Sequence, residues 1–550
     1  MKNIYLIIVL IAGALLIVGC NNNDEMMKDK DGNEYKTIKI GEKVWMAENM
    51  NYATESGSWH YNDNPENGDL YGRLYTWETA CEVCPDGWHL PTAEEWEQLI
   101  EFVETNIENN DSINNKLQAA KALAATTGWA STASENSVAD ELASNNQSGF
   151  SALAGGYRYY DGKYYNRGHV GMWWTSSKLP ISKEVYRSVY YISNRSVGPD
   201  FVSGWYGAAV RCVKDREKPA EQNNAQAFPG MMKNPPKIDT TKLNYKSNKK
   251  PGYVALHESG ELKKRGKTLW ERMQYCDICP QNCKLNRLKG ERGVCGANDK
   301  LEIATYGAHF GEDYAFVGKG GTGRIFFTHC PLRCVHCIDA KVSQEGYGKE
   351  YSIEELADIM LSLQGDGCEN ITLVTPTHYI PHILLALDIA AGKGLYLPIT
   401  YNTGGYENAE VLKNYLDGVV DIYLSDIKYG CNENAGKYTG GADDYVDSTY
   451  NAIVEMQRQV GVADKDSVTG MWKSGLILRH LVMPNDVACS KEMLKWIAEN
   501  LPENTYIDIM PNYEPLYKAQ YCPKINRRTN EDEYKEVMEA AESYGLTNVH

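Results

Sequence analysis

The run His329-Cys330-Pro331-Leu332-Arg333-Cys334-Val335-His336-Cys337 decides the fold of the second half of this chain. Its three cysteines are spaced C-x3-C-x2-C, which suits three irons of a cubane and leaves the fourth open, whereas a closed all-cysteine cluster takes four thiolates. By spacing alone, a small zinc knuckle or a disulfide pair competes. The surroundings weigh against both. An apolar strand over residues 324–328 leads into the loop, and a helix follows whose start is marked by Ser352 as N-cap with Glu355 three positions on. Five further apolar, β-branched runs come at 370–375, 397–401, 419–424, 476–482 and 505–510. Stretches with a period near 3.6, such as 450–460 and 492–501, separate them. Strands alternating with helices predict a parallel sheet. Six such units are too few for a closed eightfold barrel but suit an open (β/α)6 partial barrel, with its site at the carboxyl ends of the strands.

Those strand ends carry VTPTHYIP (374–381), YNTGGYE (401–407), LSDIKY (424–429) and LRHLVMP (478–484), and GERGVCGA (290–297) lies upstream. With the cysteine loop, these runs make residues 245–548 resemble the radical SAM superfamily, and within it the pyruvate formate-lyase activating enzyme-like proteins. The resemblance implies a [4Fe-4S] cluster on Cys330, Cys334 and Cys337, with S-adenosylmethionine on the open iron. It implies a low-potential electron donor such as flavodoxin or ferredoxin, and a 5'-deoxyadenosyl radical that takes hydrogen from a small molecule or from a glycyl residue of a partner enzyme. By position it also implies that Asn402, Asp426, Lys428, Arg479 and His480 hold the cosubstrate, Lys428 and Arg479 being the catalytic pair. Lys and Arg donate to a carboxylate, and Asp and Asn accept from an ammonium. An ion pair between Asp426 and Lys428 is the plainer reading of those two. Two departures stand out: Val374-Thr375-Pro376-Thr377 replaces the usual glycine-rich turn, and His336 replaces an aromatic residue before the last cluster cysteine. A histidine there can stack, titrate or bind metal.

A second group, Cys276, Cys279, Cys283 and Cys295, offers four thiolates within twenty residues, a set that suits zinc or a further iron-sulfur cluster, with two disulfides as the alternative in an exported protein. It places a cysteine-rich accessory segment at 246–310 ahead of a radical SAM core at 311–550. Cys368, Cys431, Cys489 and Cys522 lack ligand spacing and read as reduced thiols.

The amino terminus differs. Lys2, an apolar run to Val18 and then Gly19-Cys20 have the form of a lipoprotein signal peptide over 1–20, with Cys20 lipidated and the chain held at a membrane. An uncleaved anchor is the alternative. Residues 21–31 read as a polar tether. From 32 to 215 the chain is rich in Tyr, Trp, Gly, Ser and Asn, with landmarks KVWMAENMNY, YGRLYTW, CPDGWHLPTAEEW, GFSALAGGYR, GMWWTSS and GAAVRCVKD. It resembles the Fibrobacter succinogenes major paralogous domain, which implies an α+β module like C-type lectins and sulfatase-modifying factors. A Cys84–Cys212 disulfide would join the CPDGWHLPTAEEW and GAAVRCVKD landmarks, with Cys81 left over. Aromatic side chains here either stack on sugars or form the core.

Residues 216–245 are polar and nonperiodic, a linker between two domains. A net charge of −17 speaks against general nucleic-acid binding. The halves make opposed demands: a reduced cluster belongs in the cytoplasm, while a lipoprotein signal exports the chain. Met231-Met232 would start a separate cytoplasmic enzyme if the two halves were joined only at the gene level. The first half alone would then be a surface lipoprotein with a ligand- or carbohydrate-binding module.

Overall fold

A computed structural model describes residues 26–106, 115–131, 137–178, 186–215 and 251–550. The signal peptide, Cys20, the linker and Met231-Met232 lie outside the described residues. Among the described residues, no helix is long and apolar enough to cross a membrane.

The first module is built on buried aromatic rings. Strands β1 (Val170–Lys178), β2 (Tyr186–Ser193) and β3 (Val197–Ser203) form an antiparallel sheet in that order. Trp45, Trp96, Trp173 and Trp174 are buried, and Trp96 stacks on Tyr190 at 5.3 Å, so the tryptophans serve mainly as core. Trp205 is an exception at 66% exposure. Arg211, from GAAVRCVKD, lies buried over the Phe150 ring and donates to Asn49 Oδ1 at 2.9 Å and to the Ser151 carbonyl at 2.8 Å. Burial lowers its pKa to about 9, and hydrogen bonds to neutral acceptors fix it where one would expect a carboxylate. A disulfide joins Cys84 to Cys212, 128 positions apart, and Cys81 lies exposed outside it.

The tether reading needs correction over its last residues. Met27–Lys28 pairs with Glu34–Tyr35, Met27 is buried, and Asp29 accepts from the Tyr35 hydroxyl at 2.7 Å. A short turn closed by its own carboxylate has joined the module, a local device that polar composition conceals.

The second half is an open sheet. Strands β5 (Thr322–Phe327), β6 (Ile371–Val374), β7 (Ile399–Thr403), β8 (Ile422–Asp426), β9 (Trp472–Leu481) and β10 (Tyr506–Met510) run parallel, each paired to the next. Among the described residues β5 and β10 do not pair with each other, so the barrel stays open along one flank. The strand β4 (Leu301–His309) lies antiparallel on the outer edge of β5, which moves the start of the core from residue 311 back to about 301. From sequence alone these residues read as the end of the cysteine-rich segment. The short helix α1 (Tyr314–Val317) packs Ala315, Phe316 and Val317 against Ile422, Leu424 and Ile477, plugging the amino-terminal end of the lumen. The helices α2 (Ile353–Gly365), α3 (Ile380–Gly392), α4 (Tyr445–Val460) and α5 (Ser490–Asn500) are among the elements connecting the strands. The capping box at α2 forms in full, with Ser352 Oγ accepting from Glu355 N at 3.0 Å and Glu355 Oε2 from Ser352 N at 2.7 Å.

Glu407, just past β7, is buried and accepts hydroxyls from Thr377 at 2.5 Å, Thr403 at 2.5 Å and Tyr401 at 3.3 Å. Burial outweighs these bonds and lifts its pKa to about 7. A folded pKa above the unfolded one favours the fold below the ordinary carboxyl range, and this contribution is lost as pH rises through 7. Glu407→Gln should therefore match wild type in thermal melts at pH 5 and exceed it at pH 8, by up to about 3 kcal/mol. Equal differences at both pH values would refute the buried-carboxylate assignment. Replacing Cys84 and Cys212 by alanine should lower the stability of the first module by about 2–4 kcal/mol in urea titrations read by tryptophan fluorescence.

Candidate functional site

The cysteine loop follows β5 and is turned by two residues in the left-handed region, His329 at φ 67° and Arg333 at φ 49°. Such conformations cost energy outside glycine and persist only where neighbours impose them. Here backbone bonds do so: His329 N to the Val342 carbonyl at 3.0 Å, Val335 N to Tyr438 at 2.9 Å, and the Leu332 carbonyl from Gly440 N at 2.6 Å. The thiols of Cys330, Cys334 and Cys337 lie within each other's electrostatic reach and do not pair as disulfides. Burial pushes all three thiols up, Cys337 to about 12. Cys334 is buried and Cys330 and Cys337 are partly so; Lys428 favours the thiolate forms of Cys330 and Cys334, the forms in which cysteines ligate a cluster, although as placed the three do not form a metal-holding group among the described residues.

The strand ends surround this loop. Asn402, one residue before the end of β7, is half-buried and in register between Val374 and Leu424. Asp426 closes β8, and Lys428 Nζ donates to its Oδ2 at 2.5 Å. Although burial opposes the ammonium, Asp426 holds its pKa above the ordinary lysine value. The plainer ion-pair reading of these two therefore describes the geometry, and it leaves Lys428 facing Cys330, Cys334 and His336. Arg479 stands beside Asp426 in the β8–β9 register. It is bound by Glu312 and lies 3.6 Å from Asp508 on β10. The sequence reading missed both acids: Asp508 alternates with apolar neighbours on β10, a usable signal, whereas Glu312 sits in an irregular turn that carries none.

His480 is a correction. It is buried, Nδ1 lies 2.6 Å from the Ile427 carbonyl and Nε2 lies 2.8 Å from Ser490 Oγ, and burial lowers its pKa to about 4. Successive strand residues point to opposite faces, so Arg479 in the lumen sends His480 outward against α5. Cys431 and Cys489 also depart from expectation, since a disulfide joins them and ties the loop after β8 to the start of α5. His336 is buried between Tyr429 and Tyr513, with ring centroids 6.2 and 6.0 Å away, and burial lowers its pKa to about 3. A neutral ring thus fills the aromatic position. In the turn after β6, Thr375 takes φ 56° and donates its N–H to the Asn402 carbonyl at 2.9 Å. The left-handed turn that glycine would supply is made by a β-branched residue.

Cys276, Cys279, Cys283 and Cys295 line a void of about 10 Å³ with His378 and Arg287, and they do not pair as disulfides. A Cβ on Gly293 would meet Cys283 Sγ at 2.8 Å, so the backbone there must approach the sulfur as glycine. Four cysteines thus share one small space, although as placed they do not form a metal-holding group among the described residues. This knuckle abuts the cluster loop: Cys330 N donates to the Cys295 carbonyl at 3.3 Å, and Gln281 Nε2 to the Pro331 carbonyl at 3.0 Å.

Residues 38–214 match the family model of the Fibrobacter succinogenes major domain, and residues 325–458 match that of the radical SAM superfamily. An uncharacterized protein of Methanocaldococcus jannaschii is 30% identical over 285 residues, covering 50% of this chain and 76% of that protein. The crystal structure of methylornithine synthase is similar at a TM-score of 0.27 and 16% identity, over 40% of this chain and 67% of that one, a likeness too slight to build on. Cluster-loop spacing, the parallel strands and the family match coincide, and the chain belongs, through its second half, to the radical SAM superfamily.

Proposed function

We propose that this protein is a radical SAM enzyme whose Cys330, Cys334 and Cys337 hold a [4Fe-4S] cluster, a reading carried above all by three unpaired thiols, one buried and two partly buried, on one loop with left-handed turns at a carboxyl strand end. When bound, the cluster supplies one electron to the sulfonium of S-adenosylmethionine, giving methionine and a 5'-deoxyadenosyl radical that removes hydrogen from a substrate carbon. Lys428 and Arg479 orient the cosubstrate carboxylate, with Asp426 and Asn402 toward its amino group. His336, Tyr429 and Tyr513 wall the site with rings suited to the adenine. His480 has no such role. Likeness to activating enzymes supports hydrogen abstraction from carbon and offers a glycyl residue of a partner as one donor. A low-potential flavodoxin or ferredoxin fits as the reductant.

The four-cysteine knuckle reads as an accessory metal site, zinc or iron-sulfur. Cys20 reads as a lipid attachment site that keeps the enzyme at a membrane, and the first module as a lectin-like fold. Its tryptophans are spent mainly on its core, which weakens a sugar-binding role.

The full chain, reconstituted anaerobically with iron and sulfide and reduced with dithionite, should release 5'-deoxyadenosine from S-adenosylmethionine. Alanine at Cys330, Cys334 or Cys337 should bring this to background, and persistent cleavage in all three variants would reject the assignment. Lys428→Met should raise the KM for S-adenosylmethionine about tenfold, the loss of one charge-assisted hydrogen bond. Metal analysis of Cys279→Ala should show loss of the accessory metal with the cluster iron retained.

A further inference from the structure

The two halves meet along the flank that the six parallel strands leave open. Asp200 on β3 has a fully buried side chain. Its carboxylate accepts from the Phe310 N–H at 2.9 Å, lies 2.7 Å from His309 Nδ1, and lies 3.7 Å from Arg324 of β5. Arg324 in turn lies over the ring of the next residue, Phe201, at 3.8 Å. A buried carboxylate is costly unless charges and donors meet it, and the second half supplies both a guanidinium and an imidazole. Phe201 shares an apolar cluster with Phe326 of β5 and with Ala304 of β4. Farther along, Asn166 donates to the Gly318 carbonyl at 2.9 Å, and Tyr165 stacks on Tyr314 at 5.8 Å. These contacts follow both sides of the loop that carries Glu312, the partner of Arg479.

The tyrosine hairpin of the first module goes further. Tyr160 is 53% exposed and within electrostatic reach of Arg479, Glu312 and Asp508, the charged group of the lumen. Tyr159, packed on it at 4.2 Å, reaches Glu312 as well. We propose that the first module is the wall that completes the barrel, that Tyr160 faces the reaction chamber as a specificity-determining residue, and that the module admits a small-molecule hydrogen donor while excluding a protein loop. This rests on the radical SAM reading of the second half. A protein loop entering from the side would have to cross this flank, and the module occupies it.

Two measurements on the full chain test the proposal. In hydrogen–deuterium exchange, which needs no chemistry, His309→Ala should release protection in residues 197–203 and 301–310 together. Release confined to 301–310 would mean the halves are not docked. The second measurement supplies S-adenosylmethionine, dithionite and one of two deuterated donors, perdeuterated 2-propanol or a pentapeptide with dideuterated glycine at its centre. One electron from dithionite breaks the carbon–sulfur bond, and the 5'-deoxyadenosyl radical takes one deuterium atom, giving monodeuterated 5'-deoxyadenosine and a radical on the donor. Wild type should take little deuterium from the pentapeptide, and Tyr160→Ala, at an exposed position that leaves the core intact, should raise that transfer severalfold, while Tyr160→Trp should not. Efficient transfer from the pentapeptide in wild type, or no rise in Tyr160→Ala, overturns the proposal. If wild type makes no 5'-deoxyadenosine at all, the radical reading fails instead, and the dock is judged by exchange alone.

Discussion

Among the described residues the sheet of six parallel strands does not close on itself, and most of this molecule answers that constraint. The backbone of an unclosed edge and the lumen behind it must be covered by other parts of the chain. At the amino-terminal end α1 fills the lumen with Phe316 and Val317. Along the outer edge of β5, β4 pairs antiparallel and carries on its far end the turn that holds Glu312. The remaining flank receives β3 of the first module, and the carboxyl ends alone are left for the cysteine loop and the polar residues around it. Each cover restricts access from one direction, so chemistry is confined to one mouth.

Within that mouth, electrostatics decides which side chains can serve. Burial raises the pKa of every cluster thiol and lowers that of His336, so both kinds of group are held neutral by the protein matrix alone. Lys428 and Arg479 keep their positive charge despite burial, each beside an acid, Asp426 for one and Glu312 for the other. The balance gives a site whose positive groups are fixed in direction before any ligand arrives, which lowers the ordering cost of binding. The hydrogen bond from Cys330 N to Cys295 adds a mechanical link: whatever stiffens the four-cysteine knuckle also stiffens the cluster loop.

The strands and the cluster loop were legible because their signals are local. β-branched runs separated by 3.6-period stretches predict β5 to β10 to within a few residues, the early start of β9 at Trp472 apart, and C-x3-C-x2-C predicts the site. What was not legible depends on contacts between distant segments. Glu312 meets Arg479 across 167 positions, and Cys431 meets Cys489 across a helix–strand unit, with no spacing that encodes either. His480 is a different failure, since pleat parity already forbids adjacent residues from sharing the lumen, and applying that rule to RHL would have removed it. Thr375 shows the converse. The lack of glycine after β6 was visible, but not that a threonine would take the left-handed turn.

The dock bears on whether the halves belong together. Two unrelated proteins joined by accident would meet, if at all, through surfaces solvated on both sides. Here Asp200 and Arg324 are a buried acid and a largely buried base, placed in different halves and matched to each other through His309 and Phe201. Neither charge has a reason to be buried in a lone domain, because the penalty for desolvating it would go uncompensated. That complementarity favours reading the two halves as one polypeptide, in which case any tension between an exported first half and a reduced cluster would lie in the compartment rather than in the gene. If the enzyme works beyond the membrane, its cluster must be protected by burial rather than by a reducing cytoplasm, and a first module seated over the open flank is the part of the chain positioned to provide that protection.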